Sequence, residues 1–300
     1  MEAMQFEPMS VGRIIDRTFT LYRNNFVRFI TIVAIIQVPI GLLSVVSNSF
    51  LLAGISGETY KSEAAPESSE TTELRSETDS ETRPSAPREE RANALLAIFA
   101  AIGAVISALL MIMGGMLSQA ALTKSVSETY LGRDISVGQA YKSILPRFLS
   151  LIGASILVTL VVWFGLVLLV VPGIIFGLWL FLTTPCIVVE DCRATDGMAR
   201  SKALVSGNLG KVFAVGLVAL LIAWAVMIPA SMIGSSVALL VGPDHMMLSM
   251  FVSQFLDMLG RILSTPIGAA ASILLYYDLR IRKEGFDLQM LAQSAGPDRG

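Results

Sequence analysis

The stretch FLSLIGASILVTLVVWFGLVLLVVPGIIFGLWLFLTTPCIVV, residues 148–189, decides the fold and contains no Asp, Glu, Lys or Arg. A helix needs about 20 predominantly apolar residues to cross the hydrocarbon core of a bilayer. This run is long enough for two crossings, and Pro172-Gly173 near its middle is the dipeptide expected to turn the chain between them. Hydrocarbon offers no partner for backbone N–H and C=O groups, and an unbroken apolar run of this length meets that demand as helices. A soluble domain of 300 residues has no place for such a run.

Outward from it, charge-free runs extend from Phe29 to Gly57, Ala92 to Thr123, Val212 to Pro243 and Ile262 to Tyr277. The last is short and is extended by snorkelling of Arg261 or Asp278. The expectation is an all-α, polytopic membrane bundle of about six transmembrane helices, near residues 28–50, 93–118, 148–170, 173–189, 212–238 and 257–279. The chain divides into a cytoplasmic amphipathic segment (1–27), a first membrane segment (28–55), an acidic loop (56–91), the bundle of the remaining five helices with amphipathic connections (92–291) and a flexible tail (292–300). Composition agrees: 54% of residues are hydrophobic and 15% charged, where a soluble domain carries about 25% charged residues to solvate its surface. Mean hydropathy is +0.68.

Residues 56–91 read SGETYKSEAAPESSETTELRSETDSETRPSAPREER, with ten acidic and five basic residues. So few large apolar side chains cannot offset chain entropy, and a disordered extracytoplasmic loop is expected. Orientation comes from lysines and arginines, which stay in cytoplasmic loops. They cluster before the first span (Arg13, Arg17, Arg23, Arg28), between spans two and three (Lys124, Arg133, Lys142, Arg147), between four and five (Arg193, Arg200, Lys202, Lys211) and after the last (Arg280, Arg282, Lys283, Arg299). Both termini are therefore expected in the cytoplasm, with the bilayer as the main partner.

The cytoplasmic segments repeat. Ser10-Val11-Gly12, Ser136-Val137-Gly138 and Thr195-Asp196-Gly197 each precede a short amphipathic stretch that ends at a Phe where a span begins. A hydroxyl residue suits the N-cap of each helix. In the first copy, Val11, Ile14, Ile15, Thr18, Phe19 and Tyr22 share a face, with arginines largely opposite, as in a helix lying on the inner leaflet. Three repeats of an interfacial helix plus a membrane hairpin would share one orientation.

Polar residues in spans are costly and often functional. Gln37 and Gln119 are two. Asp257 and Arg261, one turn apart, are expected to pair at the outer interface, as an anchor or as a gating or ligand-binding pair. Pro39, Pro185, Pro229 and Pro266 fit kinked structural helices or the broken helices of a carrier; Ala100, Ala104 and Ala108 fit close helix packing. Arg13, Arg17, Arg280, Arg282 and Lys283 are candidate contacts to a partner or to lipid, or plain positive-inside anchors. Cys186 and Cys192, with the single His245, do not make a zinc site and are read as packing residues. Nucleotide, hydrolase and zincin motifs are missing from the sequence, so no catalytic residue, metal or cofactor is expected. Nor does the sequence carry a basic, aromatic-interleaved patch for nucleic acid.

Three segments carry a family resemblance: LLYYDLRIRKEGFDLQML (274–291), PGIIFGLWLFLTTPCIVVEDCRATDGMARSKALVSGN (172–208) and VGRIIDRTFTLYRNNF from Val11. Together they resemble the membrane domain associated with bacterial glycerophosphoryl diester phosphodiesterases, which also occurs free-standing. The resemblance implies a polytopic fold in the bacterial inner membrane. It does not carry the phosphodiesterase activity, whose histidine and metal-binding carboxylates belong to a separate domain. The expected role is a non-catalytic accessory or scaffold that recruits a partner at the membrane; the alternative is a transporter or permease for a small solute or lipid.

Overall fold

The computed structural model describes residues 8–63, 86–241 and 245–285, and within them only helices and their connections. In chain order the helices are α1 (Val11–Asn24), α2 (Phe26–Glu63), α3 (Ala86–Tyr130), α4 (Val137–Ile144), α5 (Phe148–Leu168), α6 (Val170–Leu180), α7 (Thr183–Glu190), α8 (Ala194–Val205), α9 (Leu209–Val241) and α10 (Met246–Glu284), with a 3₁₀ turn at Leu145–Arg147. Six stretches are long and apolar enough to cross a membrane: Phe26–Val46, Ala101–Tyr130, Val137–Leu168, Val170–Glu190, Leu209–Val237 and Leu248–Glu284. Large apolar side chains point outward along them, with Val167 79% and Leu239 86% exposed. A water-soluble protein would not leave so much contiguous apolar surface uncovered.

The chain divides into two compact units: residues 1–38 with 113–300, and residues 39–112. In the larger unit α10 is the central helix. It is buried from Ala269 to Leu279, and it packs most extensively on α9 and then on α1. Small residues allow the α9–α10 approach: a Cβ on Gly234 would lie 2.9 Å from Ser253 Cα. The smaller unit holds the distal part of α2 and the proximal part of α3. There Pro39 sits inside an unbroken α2, and on α3 Ser107 is buried while Ala108 of the expected alanine stripe is exposed.

Helices α1 and α8 each precede a pair of spanning stretches, whereas α4 is itself the opening of the third stretch, Val137–Leu168. Ser10 and Ser136 are the N-caps of α1 and α4, the second in a full capping box with Gln139. The third copy departs from the expectation. Its N-cap is Arg193, and Thr195 lies inside the first turn, because Asp191 ends α7 in the left-handed region at φ 53° and reverses the chain early. Helix α1 also differs from a helix resting on lipid. Ile14 and Thr18 are fully buried in protein and Phe19 is exposed. Met9 at its start touches Asp278, while Tyr22 near its end donates to the Leu263 carbonyl at 3.2 Å. The helix thus runs antiparallel along α10.

The acidic segment is shorter between helices than 56–91. Helix α2 continues to Glu63, and α3 begins at Ala86 with Pro87, Glu89 and Glu90 in its opening turns. Extending an existing helix adds one hydrogen bond per residue fixed, and proline and acids suit a helix start. The remainder of the expected loop, residues 64–85, and the tail 292–300 lie outside the described residues.

The turn in the deciding stretch falls three residues before Pro172-Gly173. Leu169 alone is extended, and Pro172 sits in the first turn of α6, where its missing N–H costs no helical bond. Gly173 is needed for a different reason: a Cβ there would lie 2.6 Å from the backbone N of Leu166. The same stretch breaks again at Phe181–Leu182, because Pro185 cannot donate a helical hydrogen bond to the carbonyl four residues back. Ser201 of α8 repairs that break. Its hydroxyl accepts from Leu182 N–H (3.1 Å) and donates to the Trp179 carbonyl (2.7 Å), and the residue is fully buried. Ser201→Ala leaves a buried N–H unsatisfied and is expected to cost about 1–3 kcal/mol. Thermal unfolding in detergent checks this; an unchanged midpoint would rule out the repair.

Candidate functional site

One group of charged residues in the larger unit gathers where α7, α8, α9 and α10 end or begin, and its members are tied to one another. Asp278 is completely buried. Its Oδ1 accepts from Met9 N–H at 2.6 Å, and its Oδ2 is paired with Lys211 and with Arg282 Nε (3.1 Å). Lys211 and Arg282 also donate to the Met9 carbonyl, at 2.6 and 3.0 Å. One carboxylate thereby joins the segment before α1, the start of α9 and the end of α10.

A second network lies beside it. Arg200 of α8 makes a two-oxygen contact with Glu190 (2.8 and 2.9 Å) and pairs with Glu284. Arg280 bridges Glu284 (3.1 Å) and the Tyr276 hydroxyl (3.2 Å), which itself donates to Glu190 at 2.8 Å. The carboxylates around Arg200, Glu284 first, hold its guanidinium pKa above its ordinary value. Further along α10, Tyr277 meets Ser127 at 2.8 Å and packs on Tyr130, over which Arg17 lies at 5.3 Å.

The expected contact residues therefore divide. Arg280 and Arg282 serve the two networks, and Lys283 caps α8 by donating to the Ala203 and Ser206 carbonyls. Arg17 packs on Tyr130, and Arg13 lies on the exposed face of α1. Asp257 and Arg261 stand one turn apart on α10, remote in sequence from these clusters. Asp278, expected to snorkel at a helix end, is instead the most deeply placed charge among the described residues. Sequence reasoning passed over Asp278, Lys211, Glu190 and Glu284 as participants. The spacings Asp278–Arg282 and Arg280–Glu284 were the available signal, since residues four apart share a helix face.

At the periphery, Asp191 pairs with Arg147, whose Nη2 is 2.7 Å from Oδ2. The Arg147 hydrogen bond holds the Asp191 carboxyl below its ordinary pKa. A depressed carboxyl pKa gives stability that is present above its unfolded value and lost as pH falls through the folded one. The pair is solvent-exposed, so the effect is small. Asp191→Asn keeps a residue tolerant of the left-handed region and is expected to cost under about 1 kcal/mol, with the difference from the parent vanishing in acid. Unfolding midpoints at neutral and acidic pH measure it. Burial pushes the Cys192 thiol pKa up, and Cys186 and Cys192 are both free. Among the described residues no group of three His, Cys, Asp or Glu side chains could hold a metal ion.

The fold and its charged end define a multi-pass α-helical membrane protein. Within that class, the chain matches a domain of unknown function, DUF7847, over residues 9–279, and it belongs to that family. The match begins at Met9 and closes one residue after Asp278, the two residues that the buried carboxylate joins. No curated protein and no solved structure matches the chain.

Proposed function

We propose that this protein is a non-catalytic accessory or scaffold of the bacterial inner membrane, with its N and C termini in the cytoplasm, where it recruits or organises a partner. The observation that carries the reading is the mutual saturation of charges at the basic end. Glu190, Arg200, Arg280 and Glu284 neutralise one another and brace α8 against α10. Such bracing suits a rigid platform for docking. A carrier, by contrast, uses broken helices to line a cavity, and here the break beside Leu182 is filled by Ser201. The resemblance to the phosphodiesterase membrane domain enters as a proposal about location and architecture, and no phosphodiesterase step is assigned. The cytoplasmic placement follows from the lysine and arginine pattern.

The docking face then consists of cations free to meet a partner at the surface, such as the exposed Arg23, Lys142 and Arg193. The test is native mass spectrometry of the protein gently extracted from its own membrane. A polypeptide in fixed proportion is expected, lost on combined Arg23→Glu, Lys142→Glu and Arg193→Glu substitution while helix content is kept. A retained solute without any polypeptide, followed by its flux into liposomes, would overturn the scaffold reading in favour of a permease.

A further inference from the structure

A cleft of about 660 Å³ opens between the start of α2 and the connection from α3 to α4, lined by Val27, Arg28, Thr31, Asp134, Ile135, Ser136 and Val137. Most of its polar groups are already used. The Thr31 hydroxyl donates to the Val27 carbonyl at 2.7 Å, and Ser136 is engaged with Gln139 on both its N–H and its hydroxyl. The two charges on the lining are paired only with each other. Arg28 Nη2 is 3.0 Å from Asp134 Oδ1, with the arginine side chain 30% and the aspartate 91% exposed. Arg28 Nη1 is buried and has no hydrogen-bond partner in the protein, so the outer edge of the guanidinium is what the cleft presents. An arginine at the beginning of a membrane-spanning stretch stands at headgroup height, and beside it Val27 is 76% exposed and apolar.

We propose that this cleft binds the headgroup of a phosphatidylethanolamine-type lipid, with the phosphate on Arg28 and the primary ammonium on Asp134. The charge pattern selects the ligand. A guanidinium presents forked N–H donors that match phosphate oxygens. An anionic lipid would satisfy Arg28 but set its negative charge against Asp134. A headgroup carrying both charges satisfies both residues and supplies ammonium donors to the carboxylate. The inference needs only the membrane location and is independent of the accessory role.

Native mass spectrometry of the full chain in detergent, titrated with phosphatidylethanolamine and phosphatidylglycerol, tests it. The parent is expected to retain phosphatidylethanolamine preferentially. Asp134→Asn is expected to weaken that lipid about tenfold, the worth of one charge-assisted contact, and to reverse the preference towards phosphatidylglycerol. Arg28→Gln is expected to weaken both lipids by a similar factor. Asp134 is so exposed that its variant keeps the fold, and it decides the question even where the Arg28 variant fails to fold. An unchanged preference in Asp134→Asn, or an equal loss of both lipids, overturns the assignment. So does displacement of the lipid by water-soluble phosphoethanolamine mole for mole, which would place the ligand in the aqueous phase.

Discussion

Asp278→Asn is expected to destabilise the protein by about 3–5 kcal/mol, the cost of breaking a buried ion pair by removing one partner. Asparagine keeps the shape and an oxygen for the Met9 N–H, so packing changes little. What changes is charge. Lys211, whose side chain is only 14% exposed, and Arg282 lose their common counter-ion, and a buried cation without compensation is what carries the penalty. Removing the buried cation as well, Asp278→Asn with Lys211→Met, is expected to recover part of the loss, because the asparagine oxygen still accepts from the Met9 N–H and the side chain of Arg282, 37% exposed, reaches solvent. Unfolding of the purified protein in a mild detergent, followed by far-ultraviolet circular dichroism, reads both variants. A single variant within 0.5 kcal/mol of the parent (roughly the scatter of surface substitutions) would mean that the cluster does not brace the helices.

Gly173→Ala is expected to be the second most damaging change, about 1–3 kcal/mol or more, as for overpacked sites. Its new Cβ would fall 2.6 Å from the Leu166 backbone N and from Leu166 Cγ, and a backbone neighbour cannot rotate away. The hairpin of α5 and α6 must open to relieve it. Gly165→Ala meets Gly173 Cα at 2.9 Å and strains the same contact, so the double variant should cost less than the sum of the two. Gly12→Ala and Gly138→Ala are the controls. Both sites have nothing within 4 Å of an added Cβ, and alanine gains up to about 1 kcal/mol of helix propensity there. Equal effects at Gly173 and Gly138 would show that helix propensity, not the close approach, sets the response.

The membrane-spanning stretches were legible because their signal is local: a charge-free run must be helical wherever it is buried in hydrocarbon. Legibility failed where the deciding interaction was distant. Pro172-Gly173 carries the ordinary mark of a turn, yet the turn sits at Leu169, because proline also suits a helix start and Gly173 answers to Leu166. Ser201 looks like an unremarkable helix residue until the break at Leu182, nineteen positions earlier, is brought against it. The same holds for Lys211 and Asp278, separated by 67 residues. The basic cluster at Arg280, Arg282 and Lys283 was visible as charge. Its partners Glu284, Met9 and the α8 carbonyls turn it from an open surface into internal bracing. The three glycines of the repeat show the same limit. Gly197 is buried against Ile187, where an added Cβ would lie 2.5 Å from Cγ1, whereas Gly12 and Gly138 face open space.

The most direct test of the account places a single cysteine on each side of the membrane, in a background where Cys186 and Cys192 are alanine. Thr195 is exposed on α8 at the basic end, and Ser69 lies in the acidic segment between the first two spans. In intact cells treated with a membrane-impermeant maleimide, Ser69→Cys is expected to label, and Thr195→Cys only after the membrane is opened. Labelling of Thr195→Cys from outside, with Ser69→Cys protected, would contradict the orientation and with it the placing of the braced end in the cytoplasm.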